Sequence, residues 1–209
     1  MDRVFAWGPA ETVADPARSI LPDRFEPSSW ATREVFTADE CAAIVALRER
    51  RAAAAGTLVN GVATDGIRRS RLIWLEQDDP EVEWIAQRLT RAVADLNRDH
   101  FGFALSGFDE QIQLTEYTDA NLGFYDWHSD VGGRGIPRTR KLTLTVQLSD
   151  PAEYEGGALE LNFNGNPVEA PRDRGVGTAF PSYTLHRVGP VTSGVRNSLV
   201  VWTHGPRFT

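Results

Sequence analysis

Apolar residues recur along this chain with two periods, and the change falls near Gly102. Before it, "TADECAAIVALRERRAAAAG" sets Ile44, Val45 and Leu47 on one side of a helix. Thr37 and Glu40 make a capping box at its start, and Gly56 offers a stop. "RRSRLIWLEQ" then predicts a strand over about 70–75. In "DDPEVEWIAQRLTRAVADLNRDHFG", Val82, Ile85, Leu89, Val93 and Leu96 follow the helical repeat. Asp79 can cap this second helix, and Pro80 suits its first turn.

Beyond Gly102 the runs are short and alternating, or rich in β-branched and aromatic residues. Gly, Asn, Asp and Pro separate them. The runs are "FDEQIQLTEYT", "GFYDWHSD", "RKLTLTVQLS", "GALELNF", "PVEA", "GTAFP", "YTLHRVGPV" and "RNSLVVWTH". Two helices followed by about eight strands give an α+β chain. The β part is expected to close as a jelly roll, a cupin-like double-stranded β-helix, with the N-terminal helices packed on one sheet. The whole chain, 1–209, reads as one domain. An extended segment covers 1–30, a helical support 31–101 and the jelly-roll core 102–209.

Composition narrows the functions. With 22 basic and 29 acidic residues the net charge is −7, which argues against broad nucleic-acid binding. One cysteine, Cys41, excludes an internal disulfide and any multi-cysteine metal site. On its helix Cys41 reads as a small buried residue with no neighbour to make it a nucleophile. The N-terminus carries acids and prolines where a signal peptide needs an apolar run. No stretch approaches the ~20 apolar residues of a membrane span. A cytoplasmic protein, without membrane contact, is the expectation.

The candidate chemistry begins in "FYDWHSD". In a strand, His128 and Asp130 point to one face, about 6.6 Å apart along the chain. Imidazole and carboxylate suit a divalent metal, and two histidines with one carboxylate suit non-haem Fe(II). A second histidine must come from His100, His186 or His204. His100 ends the long helix and reads as a C-terminal cation. His204 lies by Gly205 and Pro206 at a strand end, where a surface role is expected. His186, inside "SYTLHRVGPV", has the right setting. Ten residues on, Arg196 opens an apolar strand and shares a face with Ser198, Val200 and Trp202. A guanidinium there needs a carboxylate, and no acidic residue announces itself, so a carboxylate-bearing cosubstrate would serve.

His128-x-Asp130, His186 and Arg196 stand in the order and spacing of the Fe(II)/2-oxoglutarate dioxygenases. The chain resembles their prolyl-4-hydroxylase-like branch. "RKLTLTVQLSDPAEYEGGALEL" and "FPSYTLHRVGPVTSGVRNSLVVW" look like its bacterial PKHD-type members, and the resemblance covers roughly residues 68–206. It implies His128, Asp130 and His186 as ligands of Fe(II), and Arg196 as the partner of the distal carboxylate of 2-oxoglutarate. It implies Tyr117 near the cosubstrate. Gln147 falls about where animal prolyl hydroxylases carry a carboxylate-binding tyrosine; Thr145, on the same face, could supply a hydroxyl instead. The implied reaction consumes O2, releases succinate and CO2, and hydroxylates an unactivated C–H, with ascorbate as an optional reductant. The related halogenases carry Gly or Ala at the position of Asp130, so a carboxylate there favours hydroxylation.

The substrate stays open between an amino-acid-like small molecule and a peptidyl residue, and a homodimer is one open assembly. A non-oxidative metal-binding cupin-like protein, or an isomerase on the same barrel, is the alternative; neither needs Arg196. "DVGGRGIPRTR", with Arg134, Arg138 and Arg140, is either a substrate lid or a solvated loop. "RRSR", residues 68–71, reads as a solvated strand end, with an acidic substrate group as the second option. Trp127 is expected in the core, and Gly156 and Gly157 in a turn.

Overall fold

The computed structural model describes residues 29–51, 54–55, 66–132 and 135–208. The expected stop at Gly56, most of the 1–30 segment, and Gly133 and Arg134 lie outside them.

Helix α1 (Ala38–Arg50) starts at the capping box read from the sequence. The Glu40 amide donates to the Thr37 hydroxyl at 3.3 Å, and the Thr37 amide donates to the Glu40 carboxylate at 2.9 Å. Helix α2 (Glu83–Leu96) begins later than Asp79 and Pro80 suggest. Asp79 caps a preceding turn instead: its carboxylate accepts from the Glu81 amide, and its carbonyl accepts from Val82 and Glu83. The apolar stripe of α2 is buried as read, through Ile85, Leu89, Val93 and Leu96. A π-helical turn (Asn97–Phe101) holding His100 closes it, and Gly102 turns the chain away at φ +64°.

Strands are more numerous than the sequence suggests. They are β1 (Ala31–Glu34), β2 (Ala54–Ala55), β3 (Arg68–Arg69), β4 (Arg71–Leu75), β5 (Ile112–Thr118) and β6 (Phe124–His128), then β7 (Arg140–Gln147), β8 (Tyr154–Gly156), β9 (Leu159–Asn162), β10 (Val168–Glu169), β11 (Val176–Pro181), β12 (Leu185–Val188) and β13 (Val191–His204). The large sheet runs β1-β11-β7-β13-β5-β4-β2, with β8 attached to β13; the small sheet runs β10-β9-β12-β6-β3. The described pairings are antiparallel. This is the two-sheet jelly roll with helices on one sheet. Residues 31–101 supply strands to both sheets as well as the helices.

Period two gives the large sheet two faces with different duties. Ile112, Leu114, Leu142, Leu144, Val146, Leu199 and Val201 pack in one core with α1 and α2. Gln113, Tyr117, Thr145, Ser198, Val200 and Trp202 line the space between the sheets. A second, smaller core of Leu159, Leu161, Phe180, Val188 and Val191 fills the other part of that space.

Cys41 is fully buried on the inner side of α1, as the sequence suggests, and burial pushes its thiol up to about 11. Native protein at pH 8 is expected to leave Cys41 unmodified by a thiol reagent, because the thiolate is both scarce and shielded. Unfolding in urea should release one equivalent. Stoichiometric labelling of folded protein would show that α1 lifts off the sheet.

Candidate active site

The antiparallel register of β6 and β12 sets His128 directly opposite His186. Their rings lie 4.1 Å apart, centroid to centroid. Each ring is oriented by its own backbone two residues earlier. His128 Nδ1–H donates to the Asp126 carbonyl at 2.7 Å, and His186 Nδ1–H donates to the Thr184 carbonyl at 2.9 Å. Both Nε2 atoms are thereby left to face Asp130, at 3.9 and 3.6 Å.

Strand β6 ends at His128, so Asp130 does not share the strand with it. Its amide leaves the ladder and donates to the Ser182 carbonyl at 2.9 Å. The Thr143 hydroxyl of β7 donates to the Asp130 carboxylate at 2.7 Å and fixes its direction. Ligand atoms of His128, Asp130 and His186 all lie within 4.8 Å of one another. Burial, and next the neighbouring His186, pushes His128 down to about 3, so its imidazole is neutral at ordinary pH. Burial alone would raise the Asp130 carboxyl; the facing imidazoles, Arg140 and the Thr143 bond outweigh it and hold it below the usual value. Two imidazoles and one carboxylate, directed inward, fit a ferrous ion.

A cavity of about 430 Å³ opens on this triad. A narrow cleft, separated from it by Thr145 and Leu159, leads to Arg196. Arg196 is 2% exposed and has no acidic partner among the described residues; one terminal nitrogen makes no hydrogen bond. Burial lowers its pKa, with Tyr117 and Tyr154 opposing. The Tyr117 ring lies 5.6 Å from its guanidinium carbon. Gln147 donates to the Tyr154 hydroxyl at 2.8 Å, and Arg172 donates to the same oxygen at 3.3 Å. An orphaned guanidinium N–H near Tyr154 and the Tyr117 ring fits the far carboxylate of 2-oxoglutarate. Gly157 is more than a turn residue: at φ +61° a Cβ there would lie 2.8 Å from Val191 and 3.0 Å from Arg196.

Tyr154 was not a sequence candidate. It reaches the site by a side-chain bond to Gln147, and "YEGGALEL" carries no local mark of that. Four further expectations change. His204 is not on the surface: residues 106 and 107 pair with it, it is 0% exposed, and it shares hydrogen bonds with Glu110 (3.0 Å) and Thr139 (2.9 Å). Arg140 opens β7 rather than sitting in a loop, and forks onto Glu110 from inside the cavity. Arg138 lies exposed on a 3-10 turn, Ile136–Thr139. Arg68 is 6% exposed, because pairing of β3 with β6 turns it inward while Arg69 bonds the Asn121 carbonyl outside. Trp127 is half-buried on the outer face of β6, under the Arg187 guanidinium at 4.8 Å, and not in the core. His100 does not line the cavity.

Comparison with known proteins agrees with this geometry. The model of the 2OG-Fe(II) oxygenase superfamily matches residues 112–204. A PKHD-type hydroxylase of Sphingopyxis alaskensis is 32% identical over 157 residues, 74% of this chain and 70% of that protein. One from Pseudomonas aeruginosa is 28% identical over 181 residues, 81% of this chain and 75% of its own length. Among solved structures, a Pseudomonas putida prolyl-4-hydroxylase superposes with TM-score 0.68 at 19% identity, covering 85% of this chain and 93% of that one. A Trichoplax adhaerens prolyl hydroxylase, in complex with a hypoxia inducible factor peptide fragment, gives 0.70 at 17% identity, covering 84% and 83%. Those two likenesses show the fold; the sequence relatives assign this chain to the PKHD-type hydroxylases of the 2-oxoglutarate- and Fe(II)-dependent oxygenases.

Proposed function

We propose that this enzyme hydroxylates an unactivated C–H of an amino-acid-like small molecule or of a peptidyl residue, releasing succinate and CO2. The observation that carries the proposal is the convergence of His128, Asp130 and His186 beside a buried guanidinium without a carboxylate. The three residues hold the ferrous ion, and Arg196 takes the distal carboxylate of 2-oxoglutarate. Thr145 and Leu159 wall the passage between them, Tyr117 lines its cavity side, and Gln147 holds the Tyr154 hydroxyl toward the same carboxylate. Iron and 2-oxoglutarate, when bound, supply the oxidising chemistry. The chain supplies position and charge: Thr143 keeps Asp130 aimed, the two backbone carbonyls engage both Nδ1–H groups and leave both Nε2 atoms facing Asp130, and the apolar wall of Leu159, Val188 and Val200 limits water.

Purified protein with Fe(II), ascorbate and 2-oxoglutarate is expected to form succinate slowly without added substrate. Adding the small-molecule or the protein fraction of a cell extract should accelerate it, and mass spectrometry should find a product heavier by one oxygen atom. Absence of succinate under all three conditions would overturn the proposal.

A further inference from the structure

Four charged side chains line the main cavity: Arg68, Glu110, Asp130 and Arg140. Glu110 and Arg140 neutralise each other in a forked pair. Asp130 faces the two imidazoles and belongs to the metal site. Arg68 alone has no counter-charge among the described residues. Its Nε donates to the Ser70 hydroxyl and one terminal nitrogen donates to the Gln113 side-chain oxygen, both at 2.8 Å and both to neutral acceptors. Its guanidinium carbon sits 4.5 Å from the centre of the Tyr125 ring, which stacks on the His128 ring at 3.5 Å.

A guanidinium carries five N–H donors, and these bonds engage two. Three remain, and the other terminal nitrogen keeps both of its N–H groups for an incoming acceptor. Burying such a cation without an anion is costly, so the site is complete only when an anion enters. On the oxygenase reading above, neither carboxylate of 2-oxoglutarate is that anion: one lies at the metal and the other at Arg196. A single uncompensated positive charge also matches a monoanion better than a phosphate dianion.

We propose that Arg68, with Gln113 holding it in place, anchors a free carboxylate of the substrate. The substrate is then a small amino-acid-like monocarboxylate rather than an internal peptide residue with a neutral side chain, whose main-chain carboxyl is tied up in an amide. Arg68 sits one ring contact from the Tyr125–His128 stack, so the anchored molecule presents its nearby C–H groups to the metal face.

The test uses protein loaded with Mn(II) and saturating 2-oxoglutarate, so that Arg196 is already filled and no turnover occurs. Cyclopentanecarboxylate and propionate are titrated against their carboxamides, following the fluorescence of the cavity tryptophans Trp74 and Trp202, with calorimetry alongside. The carboxylates are expected to bind about tenfold or more tightly than the amides. Arg68→Gln should erase that preference, and Arg68→Lys should keep part of it. A brace under Tyr125 would weaken acid and amide alike and leave the ratio unmoved. If acid and amide bind equally in wild type, if neither binds, or if the preference survives Arg68→Gln, the proposal falls. Should Arg68→Gln not fold, Arg68→Lys decides, since its preference must drop below that of wild type. Because nothing here depends on succinate formation, failure of the oxygenase reading shows in the turnover assay and failure of the anchor shows here.

Discussion

His186→Ala is expected to abolish succinate formation and to weaken ferrous binding by more than about 100-fold. Loss of an outer partner alone weakens metal sites by about 10–100-fold, and this change removes a ligand itself. It also removes the cross-strand neighbour that faces His128, since the two sit in register on β12 and β6. Asp130→Ala should behave alike, because it leaves two imidazoles and no carboxylate to oppose a divalent ion. Thr143→Val is the graded control: it deletes only the hydroxyl that donates to Asp130 and should fall within the smaller range. Metal binding is read from the rise in melting temperature with added Mn(II), which follows the logarithm of ligand over dissociation constant. An unchanged metal-induced shift in His186→Ala would remove His186 from the ligand set.

Arg196→Met should act on the cosubstrate and not on the metal. Truncating one member of a buried, hydrogen-bonded charge pair costs about 2–5 kcal/mol, so the requirement for 2-oxoglutarate is expected to rise at least ~30-fold. Arg196→Lys should recover little, because a point charge cannot reproduce the fork. The guanidinium is buried and has no carboxylate partner among the described residues. Metal-free Arg196→Met is therefore expected to melt no lower than wild type, since it sheds a charge that folding alone leaves uncompensated. Succinate kinetics against 2-oxoglutarate concentration, with melting curves beside them, check both halves. A normal cosubstrate requirement in this variant would free Arg196 from its assigned role.

The parts of this architecture that were legible in the sequence are those written in local spacing. Leu142, Leu144 and Val146 alternate with Thr143, Thr145 and Gln147, so both faces of β7 can be read from the chain itself. Thr37 and Glu40 mark a helix start because both capping bonds lie within four residues. His128 and Asp130 stand out as a pair, and His186 and Arg196 follow from strand context and family likeness. What stayed hidden depends on register between distant segments. Arg68 points inward only because β3 pairs with β6, and nothing in "RRSR" says which arginine that will be. His204 ends a strand, where water is the usual neighbour, but residues 106 and 107 fold back over it. Glu110 acquires its meaning from Arg140, 30 positions later, and Tyr154 from Gln147 across a turn.

Strand β13 sends Leu199 and Val201 to the helices and Ser198 and Val200 to the cavity. Insertion or loss of one residue within it would exchange the two sets at once, placing serine among the helix-facing core and leucine in the cavity. Divergence of substrate preference in this scaffold is therefore confined to point replacement within β5, β7 and β13. Length variation has to accumulate in the connections, where a slipped residue flips nothing.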